Sequence, residues 1–386
     1  MSVTLRTKLP QVGTTIFSVM SALAAQYEAI NLSQGFPNFP CDAYLLELLN
    51  KYARSGQNQY AHTFGVPALR QAIAQMVATQ YAAIYNPDTE ITITSGATEA
   101  LYAAITAIVR PTDEVIVLEP CYDSYVPAIE LNGGKPVFVA LQAPDFRPDW
   151  AQIRAAITPK TRAIILNTPH NPTGYVWTPS DMDTLAALVA DTDIIIISDE
   201  VYEFMSFDER PHLSVSRYEA LRERAFIVSS FGKTFHTTGW KVGYCLAPEA
   251  FSAEFRKIHQ YLTFSTHTPT QYAIAEYMQE PTRYTQLASF YQQKRDKFVG
   301  LLQGSAFGII PTQGTYFQLL NYEKISQESD TVLAEKFVKE IGVAAIPVSV
   351  FYHNKQQDKV LRFCFAKDDE TLEKAAERLR QLPQRF

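Results

Sequence analysis

Five short apolar runs cross the middle of the chain, and only the first, with its Ile-Thr repeat, alternates polar with apolar residues. They are ITIT from Ile91, EVIVLE from Glu114, RAIILN from Arg162, DIIIISD from Asp193 and AFIVSS from Ala225. A strand with one wet face alternates; a strand covered on both faces does not, so the other four runs predict a mostly parallel sheet buried between layers. Helix-forming stretches separate them, notably ALYAAITAIV over residues 100–109 and SDMDTLAALVA over 180–190. The succession is that of an α/β fold. Ligands of open parallel sheets bind beyond the carboxyl ends of the strands, where these runs deposit Ser95, Tyr122, Asn171, Asp199 and Lys233.

With 386 residues, 47% of them hydrophobic, the chain can build one large core and a smaller one beside it. The last third changes character: helical stretches over 284–302 and 331–341 accompany strand-like GTYFQLL and VLRFCFA. The expected division is an N-terminal segment, 1–45, joining a small α+β domain at 281–386, with a large domain over 46–280 between them. NLSQGFPNFP, before Pro40, is rich in turn residues and could fold back on the small domain or cross the active site. Both paths stay open at this level.

A net charge of −6 without any dense basic run argues against a nucleic-acid surface and for small-molecule chemistry. Cys41, Cys121, Cys245 and Cys364 are scattered with no C-x-x-C pair, so they read as reduced, structural thiols rather than a disulfide frame or a metal site. The aliphatic run at 194–197 is far too short to cross a bilayer. The opening MSVTLRTKLPQVG leads into no apolar signal region, so neither secretion nor a membrane span is expected and the cytoplasm is the expected location.

Several residues at the strand ends carry chemistry. Lys233, at a buried strand end beside Gly232, could lose its proton through desolvation and bond to an aldehyde as a Schiff base; taken alone it reads more readily as a surface salt-bridge lysine, and its neighbours reverse that reading. Asp199, closing an apolar run, suits a carboxylate that keeps the pyridine nitrogen of pyridoxal phosphate protonated, or a cap for the VYEF turn. Asn171 in NTPHNPTG and Tyr202 could donate to the ring's 3-oxygen, or simply bond local backbone and pack. SGATEAL offers the free N–H groups of a helix start to a phosphate, with Ser230 and Lys241 completing the cup. Tyr122 could stack on the ring. Arg362, an arginine among apolar neighbours, needs a carboxylate, either internal or the α-carboxylate of an amino acid.

The motifs NPTG (171–174), SDEVYE (198–203) and SFGKTFHTTGWKVGY (230–244), in this order and spacing, resemble the class I aminotransferases, pyridoxal-phosphate enzymes of fold type I. The likeness runs from NLSQGFPNF to LRFCFAK. QGFPNF, EPCYDSY and the GWK form look like the branch of kynurenine, glutamine and methionine aminotransferases.

The resemblance implies a fold type I enzyme with Lys233 as the Schiff-base lysine and proton carrier between substrate Cα and cofactor. Asp199 would pair with the ring nitrogen, and Asn171 and Tyr202 would bind the 3-oxygen. Gly96, Ala97, Thr98, Ser230 and Lys241 fall on the phosphate cup, Tyr122 on the stacking position, Arg362 on the carboxylate clamp and Gly35 beside it. Lys241, where many relatives carry arginine, replaces a bidentate contact by a point charge.

It also implies a homodimer in which Tyr60 reaches the neighbour's phosphate and His267 approaches across the interface. Phe17, Tyr60, Tyr122 and His267 would line the side-chain pocket. The expected reaction is ping-pong transfer of an amino group to a 2-oxo acid, with methionine as donor. Kynurenine or glutamine transfer, with β-elimination from cysteine S-conjugates, is the alternative. Thr266 stands where some kynurenine-active relatives carry an aromatic, which counts against a preference for aromatic donors.

Overall fold

The computed structural model describes residues 4–382. Residues 1–3 and 383–386, the outer ends of the first and last expected segments, lie outside the described residues. A short strand, β1 (Ile30–Asn31), precedes the central sheet. That sheet contains β2 (Ile91–Thr94), β3 (Glu114–Glu119), β4 (Lys135–Ala140), β5 (Thr161–Asn167), β6 (Ile195–Asp199), β7 (Ala225–Ser230) and β8 (Gly243–Leu246), ordered β2-β8-β7-β6-β5-β3-β4.

Pairing is parallel from β4 through β3, β5 and β6 to β7, whereas β8 runs antiparallel to both β7 and β2. The reversal has a positional consequence. β2 and β3, β5, β6 and β7 all end on one rim of the sheet, and the start of β8 lies on that same rim.

Both faces are covered, which is why four of the five runs do not alternate. Val115, Val117, Ile165, Ile195, Ile197 and Val228 pack in one core with the helix Gly96–Ile108, while Ile116, Leu118, Ile164, Leu166, Ile196 and Ile227 belong to the other. The helix Pro179–Val189 starts on a capping box between Thr178 and Asp181, with Pro179 at its first position. β4 and β8 were not among the runs read as strands. β4 is the outer strand and only half-buried, so it lacks the continuous apolar signature; β8 is only GYCL.

In the last third, β9 (Gly308–Ile309), β10 (Phe317–Asn321), β11 (Val343–Ala344), β12 (Ile346–Pro347) and β13 (Val360–Cys364) follow. Four of them form an antiparallel sheet ordered β12-β13-β10-β9, and β11 takes β1 as a parallel partner. The helix expected over 284–302 is a turn, Thr282–Thr285, followed by the helix Leu287–Leu301. The one expected over 331–341 is an α-helix, Asp330–Lys336, that widens into a π turn, Phe337–Ile341.

The N-terminal segment takes both paths left open above. Leu32 donates its N–H to the Ala344 carbonyl (3.0 Å) and accepts from the Cys364 N–H (2.8 Å), and residues 33–36 then run along the ligand rim of the central sheet. Among the described residues no helix is long and apolar enough to cross a membrane.

Candidate active site

A cavity of about 240 Å³ opens on that rim. Its wall includes Phe17, Gly35, Gly96, Ala97, Thr98, Tyr122, Asn171, Asp199, Tyr202, Ser230, Lys233, Lys241 and Arg362. These thirteen residues come from the N-terminal segment, from the ends of five strands, from the start of β8 and from β13, and every one was singled out from the sequence. Ser95 does not join the wall; its N–H donates to the carboxylate of Glu99, closing the helix start internally at 3.0 Å.

Lys233 follows β7 in a single helical turn, Phe231–Thr234. Its Nζ donates to the Gly35 carbonyl (3.0 Å) and to the Tyr316 hydroxyl (2.7 Å) and has no carboxylate partner among the described residues. Burial pulls its pKa down to about 8, and the charges of Arg362 and Lys241 act in the same direction. Asp199, the last residue of β6, is buried on the side of Tyr125, whose hydroxyl donates to Oδ2 at 2.6 Å; the Val201 N–H reaches Oδ1 at 3.3 Å. Burial pushes its carboxyl up to about 6, against those hydrogen bonds, which favour the anion. The cap reading of Asp199 survives only as that Val201 contact, since VYEF forms turns and not a helix.

Arg362 is 1% exposed and makes no ion pair among the described residues. Its Nη1 donates to Asn171 Oδ1 (2.8 Å) and its Nη2 to the Ser33 carbonyl (3.2 Å), while Nε is buried without a partner. The guanidinium lies 3.8 Å from the centre of the Phe317 ring, with Phe17 and Phe351 further out. An internal acid partner, the plainer reading of this arginine, is therefore absent among the described residues. A buried guanidinium with an open donor is a seat for an incoming carboxylate.

At the other end of the cavity, Gly96 has φ 76° and opens the helix Gly96–Ile108. A Cβ there would lie 3.2 Å from both Cε and Nζ of Lys241, so only glycine lets the lysine cross the helix start. Lys241 is itself left-handed (φ 53°), and it precedes β8, an inner strand, rather than lying on an edge strand. It has no carboxylate partner among the described residues. Free N–H groups, a nearby hydroxyl from Ser230 and an unpaired ammonium make an anion seat. The cavity thus offers two anion seats flanking a buried lysine and a buried acid, the donor set required by a phosphorylated pyridine aldehyde and an amino acid together.

Tyr60 and His267 are not in this cavity. With Thr266 they line a separate surface hollow, where Tyr60 is 83% exposed, so within one chain the structure does not bring them to the site. Cys121 is buried next to Tyr122, burial pushes its thiol up, and all four cysteines are unpaired. Among the described residues no cluster of histidine, cysteine and acidic side chains is arranged to hold a metal ion.

Sequence reasoning missed a supporting layer. Asn167, ending β5, donates to the Asp199 carbonyl (2.8 Å) and accepts from the Asn171 N–H (2.7 Å), which sets the NPTG turn against β6. Tyr125, Tyr316, Gln34 and Phe317 also surround the site. Asn167 had a readable signal, a polar residue closing an apolar strand; the tyrosines had none, because their partners lie 74 and 83 residues away.

Comparison with known proteins gives a consistent result. The family described as aminotransferase class I and II matches residues 27–379. Methionine aminotransferase of Escherichia coli K12 is 53% identical over 98% of both chains. A kynurenine–oxoglutarate transaminase of Dictyostelium discoideum is 36% identical, covering 96% of this chain and 94% of its own. The crystal structure of YbdL from Escherichia coli, for which a methionine aminotransferase function is identified, superposes with a TM-score of 0.97 at 53% identity, covering 99% of this chain and all of the other.

Proposed function

Because the chain belongs to the class I and II aminotransferases, which work with pyridoxal 5′-phosphate, we propose that it moves the amino group of L-methionine, and of other large apolar or aromatic L-amino acids, to a 2-oxo acid. The observation that carries this reading is Arg362, fully buried, without an ion pair among the described residues, and sharing one cavity with the buried Lys233. The 53% identity to a methionine aminotransferase, against 36% to a kynurenine–oxoglutarate transaminase, favours methionine as donor.

When bound, pyridoxal phosphate supplies an aldehyde to carry the amino group and a ring that withdraws electrons from the substrate's Cα. The residues of this chain do the rest. Lys233, its pKa pulled down to about 8 by burial, exchanges between amine and ammonium close to neutral pH, so its Nζ would hold the cofactor's aldehyde carbon and would carry a proton to and from the substrate's Cα. Asp199 would keep the ring nitrogen protonated, its carboxylate held by the Tyr125 hydroxyl. The Asn171 amide and the Tyr202 hydroxyl would donate to the 3-oxygen, the Asn171 Oδ1 staying with Arg362. Gly96, Ala97, Thr98, Ser230 and Lys241 would seat the phosphate, and Tyr122 would pack on the ring.

Arg362 binds the substrate carboxylate beside the loop of Gly35, and Phe17 borders the side-chain pocket. Among the described residues no second arginine lines the cavity, so an apolar or amphipathic side chain fits better than a second carboxylate.

The same reading makes the protein a homodimer, with Tyr60 and His267 completing the site of the other copy; their exposure and distance from the cavity of their own chain support it. It divides the chain at about residues 45 and 280, supported by the separate antiparallel sheet β12-β13-β10-β9 and the β1–β11 pair. The four unpaired cysteines support a reducing, cytoplasmic location.

Half-reactions with a panel of amino acids, followed by the cofactor's absorbance change, test the assignment. Methionine is expected to give the highest kcat/KM. Kynurenine handled at least as well as methionine would overturn the donor.

A further inference from the structure

Lys233 is held by two groups that the expected machinery does not include as partners of its amine. The Gly35 carbonyl can only accept, and the Tyr316 hydroxyl in turn donates to that same carbonyl. The hydroxyl's proton is thus committed to Gly35, and toward Lys233 its oxygen acts as acceptor. We infer that Tyr316 is a positioning residue for Lys233: its hydroxyl and the Gly35 carbonyl form a dock that holds the lysine amine whenever it is not bonded to the cofactor.

The geometry follows from the nitrogen. Of its four tetrahedral positions one is bonded to Cε, and the dock takes two N–H bonds. A single position remains for the lone pair of the amine or the mobile proton of the ammonium. Lys233 lines the cavity and Tyr316 does not, so the dock grips the amine from behind and leaves that position to the cavity. A lysine with four free torsions would otherwise sample many directions for its proton.

The tyrosine is well suited to the task. It is fully buried, it stands at the entrance of β10, and its ring is packed against Tyr202, Tyr291 and Phe317 at centroid distances of 5.2, 5.6 and 4.9 Å. Burial pushes its phenol far up, so it keeps its proton across the working range of pH. The charged and titratable groups facing Lys233 are Asp199, Tyr202, Tyr316, Cys364, Lys241 and Arg362. The dock joins three remote parts of the chain, the N-terminal loop, the end of β7 and the start of β10.

This inference rests on the role proposed for Lys233, and its test separates the two. Tyr316→Phe keeps the ring and removes only the hydroxyl. In the full-length chain stripped of cofactor, the pH at which Lys233 becomes half-reactive toward an amine-selective acylating reagent, read by peptide mass spectrometry, is expected to fall by about half a unit to one unit, because an acceptor for the ammonium is lost. In the loaded enzyme, kcat for methionine is expected to fall about tenfold while KM stays within about twofold. Replacing Tyr316 by 3-fluorotyrosine, which keeps the hydroxyl, should restore most of kcat. An unchanged labelling midpoint, or a kcat within about twofold of the parent in Tyr316→Phe, would overturn the dock. Lys233→Ala serves as the reference: full turnover in that variant would sink the proposed role of Lys233 itself.

Discussion

Arg362 takes a guanidinium into the core without an acid to meet it, and the surrounding structure compensates with one amide oxygen, one carbonyl and an aromatic face. Such a residue persists where a ligand supplies the missing charge. Arg362→Lys should leave the fold intact and raise KM for the amino donor by an amount equivalent to about 1.5 to 3 kcal/mol, the worth of a charge-assisted contact. Steady-state kinetics with methionine measures it; an unchanged dependence on donor concentration would mark the arginine as structural. At this scale the site was largely readable, because Lys233, Asp199 and Arg362 each close or interrupt an apolar run with a group that needs a partner, and Asn171 sits in the turn just past another. Asn167 carried a signal of the same kind that went unused, whereas Tyr125 and Tyr316 carried none, since a tyrosine in such a run is also what ordinary packing requires.

The reversed strand β8 decides how the elements meet. Because it runs against β7 and β2, its first residue faces the helix start that follows β2 and brings Lys241 to the anion seat. Gly243, that first residue, has no room for a side chain: a Cβ would stand 2.6 Å from the Ser229 carbonyl and 3.0 Å from the Ala97 nitrogen. Gly243→Ala is therefore expected to push β8 away from both, costing about 1 to 3 kcal/mol of stability and weakening cofactor retention disproportionately. Thermal melting with and without added pyridoxal phosphate separates the two effects; equal losses in both conditions would place the strain away from the seat. The sheet itself was legible from its five short apolar runs, whereas β4 and β8 were not. A half-exposed outer strand and a four-residue strand carry too little pattern to be distinguished from loop.

Across the whole molecule, the N-terminal segment ties the last third of the chain to the central sheet by accepting from Cys364, Arg362 and Lys233 in turn, through the carbonyls of Leu32, Ser33 and Gly35. Tyr60 and Phe264 meet edge to face on the surface near His267, turned away from their own cavity. If a second copy uses that surface, mixing equal amounts of Lys233→Ala and Tyr60→Ala chains, each poorly active alone, should recover about a quarter of the parental activity, since half the dimers are mixed and each holds one intact site. No recovery after subunit exchange would mean that Tyr60 serves its own chain or none. By itself, the sequence determined the buried parallel sheet, the rim on which a site must lie, and the reactive residues on it, because apolar periodicity and strand-end polarity are local properties. Only the tertiary structure decided that the N-terminal segment both joins the last third and closes on Lys233, that β8 is reversed, and that Tyr316 and Gly35 hold the lysine. Those facts depend on contacts between residues far apart in the chain, 329 positions for Ser33 and Arg362, which the packing of the whole chain selects and no short stretch encodes.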